Sequence, residues 1–358
     1  MTMTDTTPGL VCGHHHLYSS LARGMPAPPK QPGNFLDVLN QVWWRLDAAL
    51  DLDMIYWSAM LGASEALMSG TTCIIDHHES PNAIEGSLDA IQRACDEVGV
   101  RVIATYGVTD RWQDDGSLIN DASLPKQMTK AANRGLGEIK RHAAAGHRTM
   151  VGIHAAFTCS DDTLQASAAL AQDLGVGVHI HVSEGREDAD AATRLRALAA
   201  DNWLLVHCVH LKDELHGTIA HNPRSNMNNA VGYAQPARFK NKVILGTDGI
   251  GADMMEEARL AYVAHRADDV YATPETSWSW LAHGSDFFPE SLNDIVTWNY
   301  DHMDDPWHLA FTTGIRPVSI IADGAQILAN GLPSRVDIQE VRAKAAEQSK
   351  RLHARLAA

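Results

Sequence analysis

Short runs of β-branched and other apolar residues alternate with longer stretches of helical spacing through most of the chain. The strand-like runs cover 9–16 (GLVCGHHH), 71–78 (TTCIIDHH), 100–108, 149–157, 176–184 (VGVHIHVSE), 202–210 (NWLLVHCVH), 217–223 (GTIAHNP) and 242–249 (KVILGTDG). Between them, apolar positions recur at helical spacing over 36–68, 82–97, 125–145, from Ser160 to Gly175, and over 188–200. Ser160 is placed to cap its helix, with Asp161 and Asp162 in the first turn. This alternation is the signature of parallel βα units, and eight such units match the size of a (β/α)8 TIM barrel.

Periodicity alone also permits a doubly wound open sheet. The polar residues separate the two. Histidines or acids end seven of the eight runs, including His16, His78, His181, Glu184, His207 and Asp248. In a barrel those ends meet at one mouth, whereas an open sheet leaves several of them far apart. The expected architecture is therefore an α/β TIM barrel over 8–290. Short antiparallel strands are expected over 291–335 and a polar helix over 336–358, closing the chain.

His14 and His16 are two apart, so on a strand they face one way and His15 the other. By itself an H-x-H pair is more often structural than ligating. His181, Glu184, His207 and Asp248 are likewise unremarkable singly. On separate strands of one barrel they supply three imidazoles, a carboxylate ligand and further acid–base groups, the inventory of a catalytic metal site.

Composition narrows the partners. The net charge is −15 with no basic run, which argues against nucleic acid. No apolar run approaches the ~20 residues that span a bilayer. Five scattered cysteines without C-x-x-C spacing, and no visible secretory signal, lead to an expected cytoplasmic location. A small-molecule substrate is what remains.

The segments PGLVCGHHHLYSSLARGM, HIHVSE, VHCVHL, HNPRSNMNNAVG and LGTDGIGADMMEEARLA resemble the amidohydrolase superfamily, in its cytosine/guanine-deaminase-like and chlorohydrolase-like branch. WWRLDAALD and TTCIIDHHESP are most similar to the aminohydrolases called SsnA. The resemblance runs over about 8–335. It implies His14, His16, His181 and Asp248 as ligands of one divalent metal ion, zinc ahead of iron. It implies Glu184 as proton shuttle, with His207 and Asp248 sharing the chemistry, and His154 touching substrate. Trp43, Arg23 and His77 are added as substrate contacts at the barrel mouth, and Asp76, His78 and Glu79 as residues that could shape the pocket. The implied reaction is hydrolysis of an exocyclic amino group from a purine-, pterin-, pyrimidine- or triazine-like ring. A chloride or formimino leaving group, or an impaired metal-binding variant, stays open at this point, and a homodimer is compatible. Only MTMTDTT precedes the first barrel strand, so the β-sandwich is expected to be abbreviated, and 208–217 leaves no room for a full sixth helix.

Overall fold

The computed structural model describes residues 5–119 and 125–357; Ala358, the last residue of the expected closing helix, lies outside them. Its eight barrel strands are β1 (Leu10–His16), β2 (Thr71–His78), β3 (Arg101–Tyr106), β4 (Val151–Ala155), β5 (Val178–Val182), β6 (Leu204–His207), β7 (Thr218–His221) and β8 (Val243–Leu245, resumed at Asp248–Gly249). All pair in parallel with their neighbours in chain order. The junction of β3 and β4 is completed by the Val108–Ile153 bridge, and the ring closes where Asp248 pairs with His15. This is a (β/α)8 barrel.

Closure depends on Gly246. A Cβ there would fall 2.8 Å from the His14 backbone nitrogen and 2.4 Å from Asn222 Oδ1, so only glycine lets β8 approach β1.

Alternation along the strands sorts side chains by layer. Val11, Cys73, Ile75, Ile103, Met150, Leu204, Val206 and Ile244 fill the lower barrel, and Phe288 closes the floor. Outward residues pack on the surrounding helices in a larger cluster. Phe288 is fully buried. Phe288→Ala should therefore cost about 3–5 kcal/mol, read as a lower urea midpoint.

The helix starting after Ser160 matches its sequence signals. The Ser160 hydroxyl accepts from Thr163 N at 3.2 Å, and Gly175 ends the helix at φ 67. The stretch 36–68 is broken rather than continuous. Phe35–Val38, a π-helical turn Leu39–Trp43, and Trp44–Ala49 come first; a new helix, Leu52–Leu67, then starts from Asp51, whose carboxylate accepts from Met54 N. The helix expected over 188–200 shrinks to Ala191–Leu195, and 208–217 forms no helix. Thr6–Thr7 pairs antiparallel with Ile295–Trp298, the first of four hydrogen-bonded strands completed by Pro317–Ala322, Ala325–Ala329 and Leu332–Pro333. The final helix, Ile338–Ala357, lies against Leu52–Leu67, with Arg351 and Arg355 on Asp51 at 2.8 and 2.7 Å. Among the described residues no helix is long and apolar enough to cross a membrane.

Candidate functional site

Above the apolar floor the barrel interior turns to histidine. His14, His77 and His179 form one layer, with ring centroids 4.9–5.0 Å apart for the pairs His77–His179 and His14–His179. At the mouth stand His16, His181, His207 and Asp248. His15 points out of the barrel as alternation requires: its Nδ1 lies 2.7 Å from Thr247 Oγ1 and its ring abuts Gly62 of Leu52–Leu67.

Asp248 Oδ1 lies 3.3 Å from His14 Nε2 and 3.0 Å from His16 Nε2, while His181 Nε2 lies 3.3 Å from His16 Nε2. One ligand atom from each of His14, His16, His181 and Asp248 falls within 4.8 Å of every other. The imidazoles are oriented from behind. His16 Nδ1 donates to the His77 carbonyl at 2.5 Å, His181 Nδ1 to the His154 carbonyl at 2.7 Å, and His207 Nδ1 to Asn226 Oδ1 at 2.8 Å. A ring that donates through Nδ1 presents a lone pair at Nε2, the tautomer a metal needs. His14 Nε2 is buried without a hydrogen-bond partner, yet it faces a carboxylate oxygen. Two electron-rich atoms held that way call for a cation between them, and this His/Asp donor set suits a divalent metal.

Glu184 and His207 flank this cluster. His207 Nε2 is 3.4 Å from Glu184 Oε2 and 4.0 Å from Asp248 Oδ2; Asn229 Nδ2 donates to Glu184 Oε1 at 3.2 Å. Burial raises the Glu184 carboxyl against the pull of His207, which suits a group that must take up and release a proton. Burial opposes the charged form of His16, but the Asp248 carboxylate outweighs it and lifts His16 to about 9.

Ser183, His207 and Asp248 hold φ values of 47, 69 and 55, left-handed conformations that non-glycine residues adopt at a cost. All three sit at strand ends facing the mouth, where that strain turns the side chains of His207 and Asp248 inward.

The cavity over these groups has about 720 Å³ of empty space, open solvent at its mouth included. Its walls are Phe35, Leu39, Trp43, Trp44 and Phe157, with Asp47, His77, Glu79 and His154 among its polar lining. The sequence-predicted residues His77, His154 and Trp43 line it. Arg23 does not. The short 3₁₀ helix Leu17–Ala22 carries it outward, where it pairs with Glu65 at 2.7 Å. Asp76 and His78 also turn away: Asp76 accepts from Leu17 N at 2.6 Å, and His78 meets Ser80 Oγ at 2.8 Å. Cys208 is a packed, free thiol.

Several residues were not singled out from the sequence. His179 shares a 2.8 Å hydrogen bond with His14 Nδ1, and its position two before His181 on the same strand could have revealed it. Asp47 and Arg111 were not singled out either: the buried Arg111 pairs with Asp47 and with Glu79, which the sequence did offer as a pocket residue, and stacks 4.3 Å over Trp44. No local spacing signals that arrangement.

Outside the cluster of His14, His16, His181 and Asp248, burial pushes His15, His78 and His221 down to about 3. The folded state holds them neutral while the unfolded chain protonates them near 6.5, so stability rises with pH across this window. It should be complete above about pH 6.5 and fall as pH drops toward 3, each group removing up to about 1.4 kcal/mol per pH unit. Urea midpoints at neutral and mildly acidic pH check this; a flat profile contradicts it.

The amidohydrolase family model matches residues 6–281. A 5'-deoxyadenosine deaminase of Methanococcus vannielii is 31% identical over 285 residues, covering 72% of this chain and 63% of that protein. A 5-methylthioadenosine/S-adenosylhomocysteine deaminase of Thermoanaerobacter pseudethanolicus is 28% identical over 291 residues, covering 74% and 63%. The chain thus spans a little under two thirds of these relatives. In fold it is similar to an adenosine deaminase from Xanthomonas campestris with bound zinc, at TM-score 0.76 and 20% identity, covering 98% of this chain and 86% of that one. It is also similar to an atrazine chlorohydrolase from Arthrobacter aurescens TC1 complexed with zinc, at TM-score 0.73 and 20% identity, covering 96% and 88%.

Proposed function

The chain belongs to the amidohydrolase family, and on that premise we propose that it is a metal-dependent aminohydrolase releasing ammonia from an amino-substituted nitrogen heterocycle. The observation that carries this reading is the convergence of His14, His16, His181 and Asp248 on one point, with Glu184 and His207 beside it in one cavity. The deaminase names of the relatives favour ammonia over chloride as leaving group, and an adenosine-like substrate within the heterocycle class.

His14, His16, His181 and Asp248 would hold the ion, which we take to be zinc. Bound there, a divalent metal supplies a water whose pKa is lowered toward about 7. Glu184 takes a proton from the attacking water and passes it to the ring nitrogen next to the amino-bearing carbon. Asp248 Oδ2 accepts the second proton of that oxygen and delivers it to the amino group, so that the C–N bond breaks, ammonia leaves and a ring carbonyl remains. His207, oriented by Asn226, lies near both carboxylates and stabilises charge on the adding oxygen. Trp43, Trp44, Phe35 and Phe157 wall the cavity and suit the faces of a planar ring, while His77 and His154 offer polar contacts.

We assign the catalytic unit to 8–290 and, with it, a cytoplasmic location and a homodimeric assembly; light scattering of the purified protein tests the last. The function is tested by ammonia release from metal-loaded protein across 5'-deoxyadenosine, methylthioadenosine, guanine, cytosine and an aminotriazine. Ammonia from at least one is expected. No ammonia from any, together with no stoichiometric metal, would overturn the reading.

A further inference from the structure

We infer that Arg224, backed by buried Glu257, is the positioning residue that sets the backbone of Asp248, an inference resting on the reading of Asp248 as a metal ligand. Asp248 and, two residues on, Ile250 hold φ values of 55 and 71, both in the left-handed region. Such a turn persists only when its surroundings hold it. Arg224 does so from outside the cavity. Its Nη2 donates to the Thr247 carbonyl at 2.5 Å and to the Gly249 carbonyl at 2.9 Å, the two carbonyls flanking Asp248. The chain wraps the guanidinium so closely that a Cβ on Gly251 would lie 2.6 Å from it.

The charge is balanced in place. Arg224 Nε donates to Glu257 Oε1 at 3.0 Å, the Arg224 backbone N–H donates to Glu257 Oε2 at 3.2 Å, and Glu257 is only 1% exposed. The Glu257 carboxylate, on helix Met254–Asp268, therefore holds both the fork and the corner of chain that carries it. The next residue adds a second hold, since Ser225 Oγ donates to Asp248 Oδ2. One short helix, Pro223–Asn228, thus governs both the backbone and the carboxylate of Asp248, leaving Oδ1 facing His14 and His16. A planar guanidinium presents donors to the two carbonyls and the carboxylate at once. A lysine ammonium has the charge but not that fixed span.

The test uses full-length Arg224→Met and Arg224→Lys proteins, with Asp248→Asn in parallel. Zinc affinity is measured by competition with a chelating dye, the visible spectrum is taken on cobalt(II)-loaded protein, and kcat and KM are read on whichever heterocycle the wild type deaminates. Arg224→Met should weaken zinc binding by roughly 10- to 100-fold, as loss of a group that orients a ligand does. It should alter the cobalt spectrum and lower kcat with KM near the wild-type value, and Arg224→Lys should recover only part. A folded Arg224→Met with wild-type zinc affinity and cobalt spectrum overturns the inference. If that variant does not fold, Arg224→Lys carries the same test: weakened zinc affinity is expected, and full wild-type affinity overturns it. Asp248→Asn separates the two levels. Wild-type zinc binding in Asp248→Asn defeats the site reading itself, whereas loss there with none in the Arg224 variants defeats only the positioning role.

Discussion

Glu184→Gln is expected to lower kcat by about 10²- to 10⁴-fold, the range a positioned acid–base group contributes, while the protein keeps its full complement of metal. Glutamine matches the shape of glutamate and retains an oxygen to accept from Asn229. What it loses is the ability to take a proton. Glu184 stands outside the group of His14, His16, His181 and Asp248, but its Oε2 is 3.4 Å from His207 Nε2, at the edge where a reacting oxygen would sit. Burial already raises its carboxyl, so proton uptake and release near neutrality are easier than for an exposed glutamate. Ammonia release and elemental analysis on the same preparation separate the possibilities. Activity within tenfold of wild type would remove Glu184 from the chemistry. Metal lost in step with activity would make it a ligand instead of a shuttle.

The parts legible from the sequence are those set by short-range periodicity. Strand alternation alone turns His15 away from His14 and His16, and the Ser160 cap and Gly175 stop bound their helix as local rules require. The polar ends of the apolar runs identified the barrel mouth because a closed ring brings those ends together. What depends on chain crossing was not legible. Arg23 is only a few residues past His16, yet a single 3₁₀ turn sends it to Glu65 at the surface. The stretch 36–68 reads as one amphipathic helix because both halves are apolar; the break shows only where Leu50 turns extended and Asp51 caps a new start. Asp47, Glu79 and Arg111 come from three distant segments, and no local pattern links them. Arg224 and Glu257 are 33 positions apart and meet only because the helix after β8 folds back on the corner after β7. The family resemblance singled out His14, His16, His181 and Asp248, which the fold brings together, but the side chains that orient them required the fold.

His16→Ala should abolish stoichiometric metal binding, whereas His15→Ala should leave it unchanged. The two residues are adjacent and of the same type, so composition offers no reason for a difference. Direction does. His16 Nε2 points at Asp248 Oδ1 from 3.0 Å with its other nitrogen tied to the His77 carbonyl. Removing it takes away a donor and leaves the carboxylate facing a void. His15 meets Thr247 on the outer face, against the helix Leu52–Leu67. Its loss removes one hydrogen bond from the Thr247 hydroxyl, which keeps the Asp248 carbonyl as a partner, at about 0.5–1.5 kcal/mol of stability. His15→Ala should therefore unfold at lower urea with its metal in place, and His16→Ala should lose its metal. Elemental analysis after dialysis and urea unfolding of both variants decide the matter. Because strand faces alternate with a period of two, a one-residue slip of β1 would exchange the inner and outer faces. Metal loss in His15→Ala equal to that in His16→Ala would mean that slip had occurred, and the His14–His16–Asp248 geometry would fall with it.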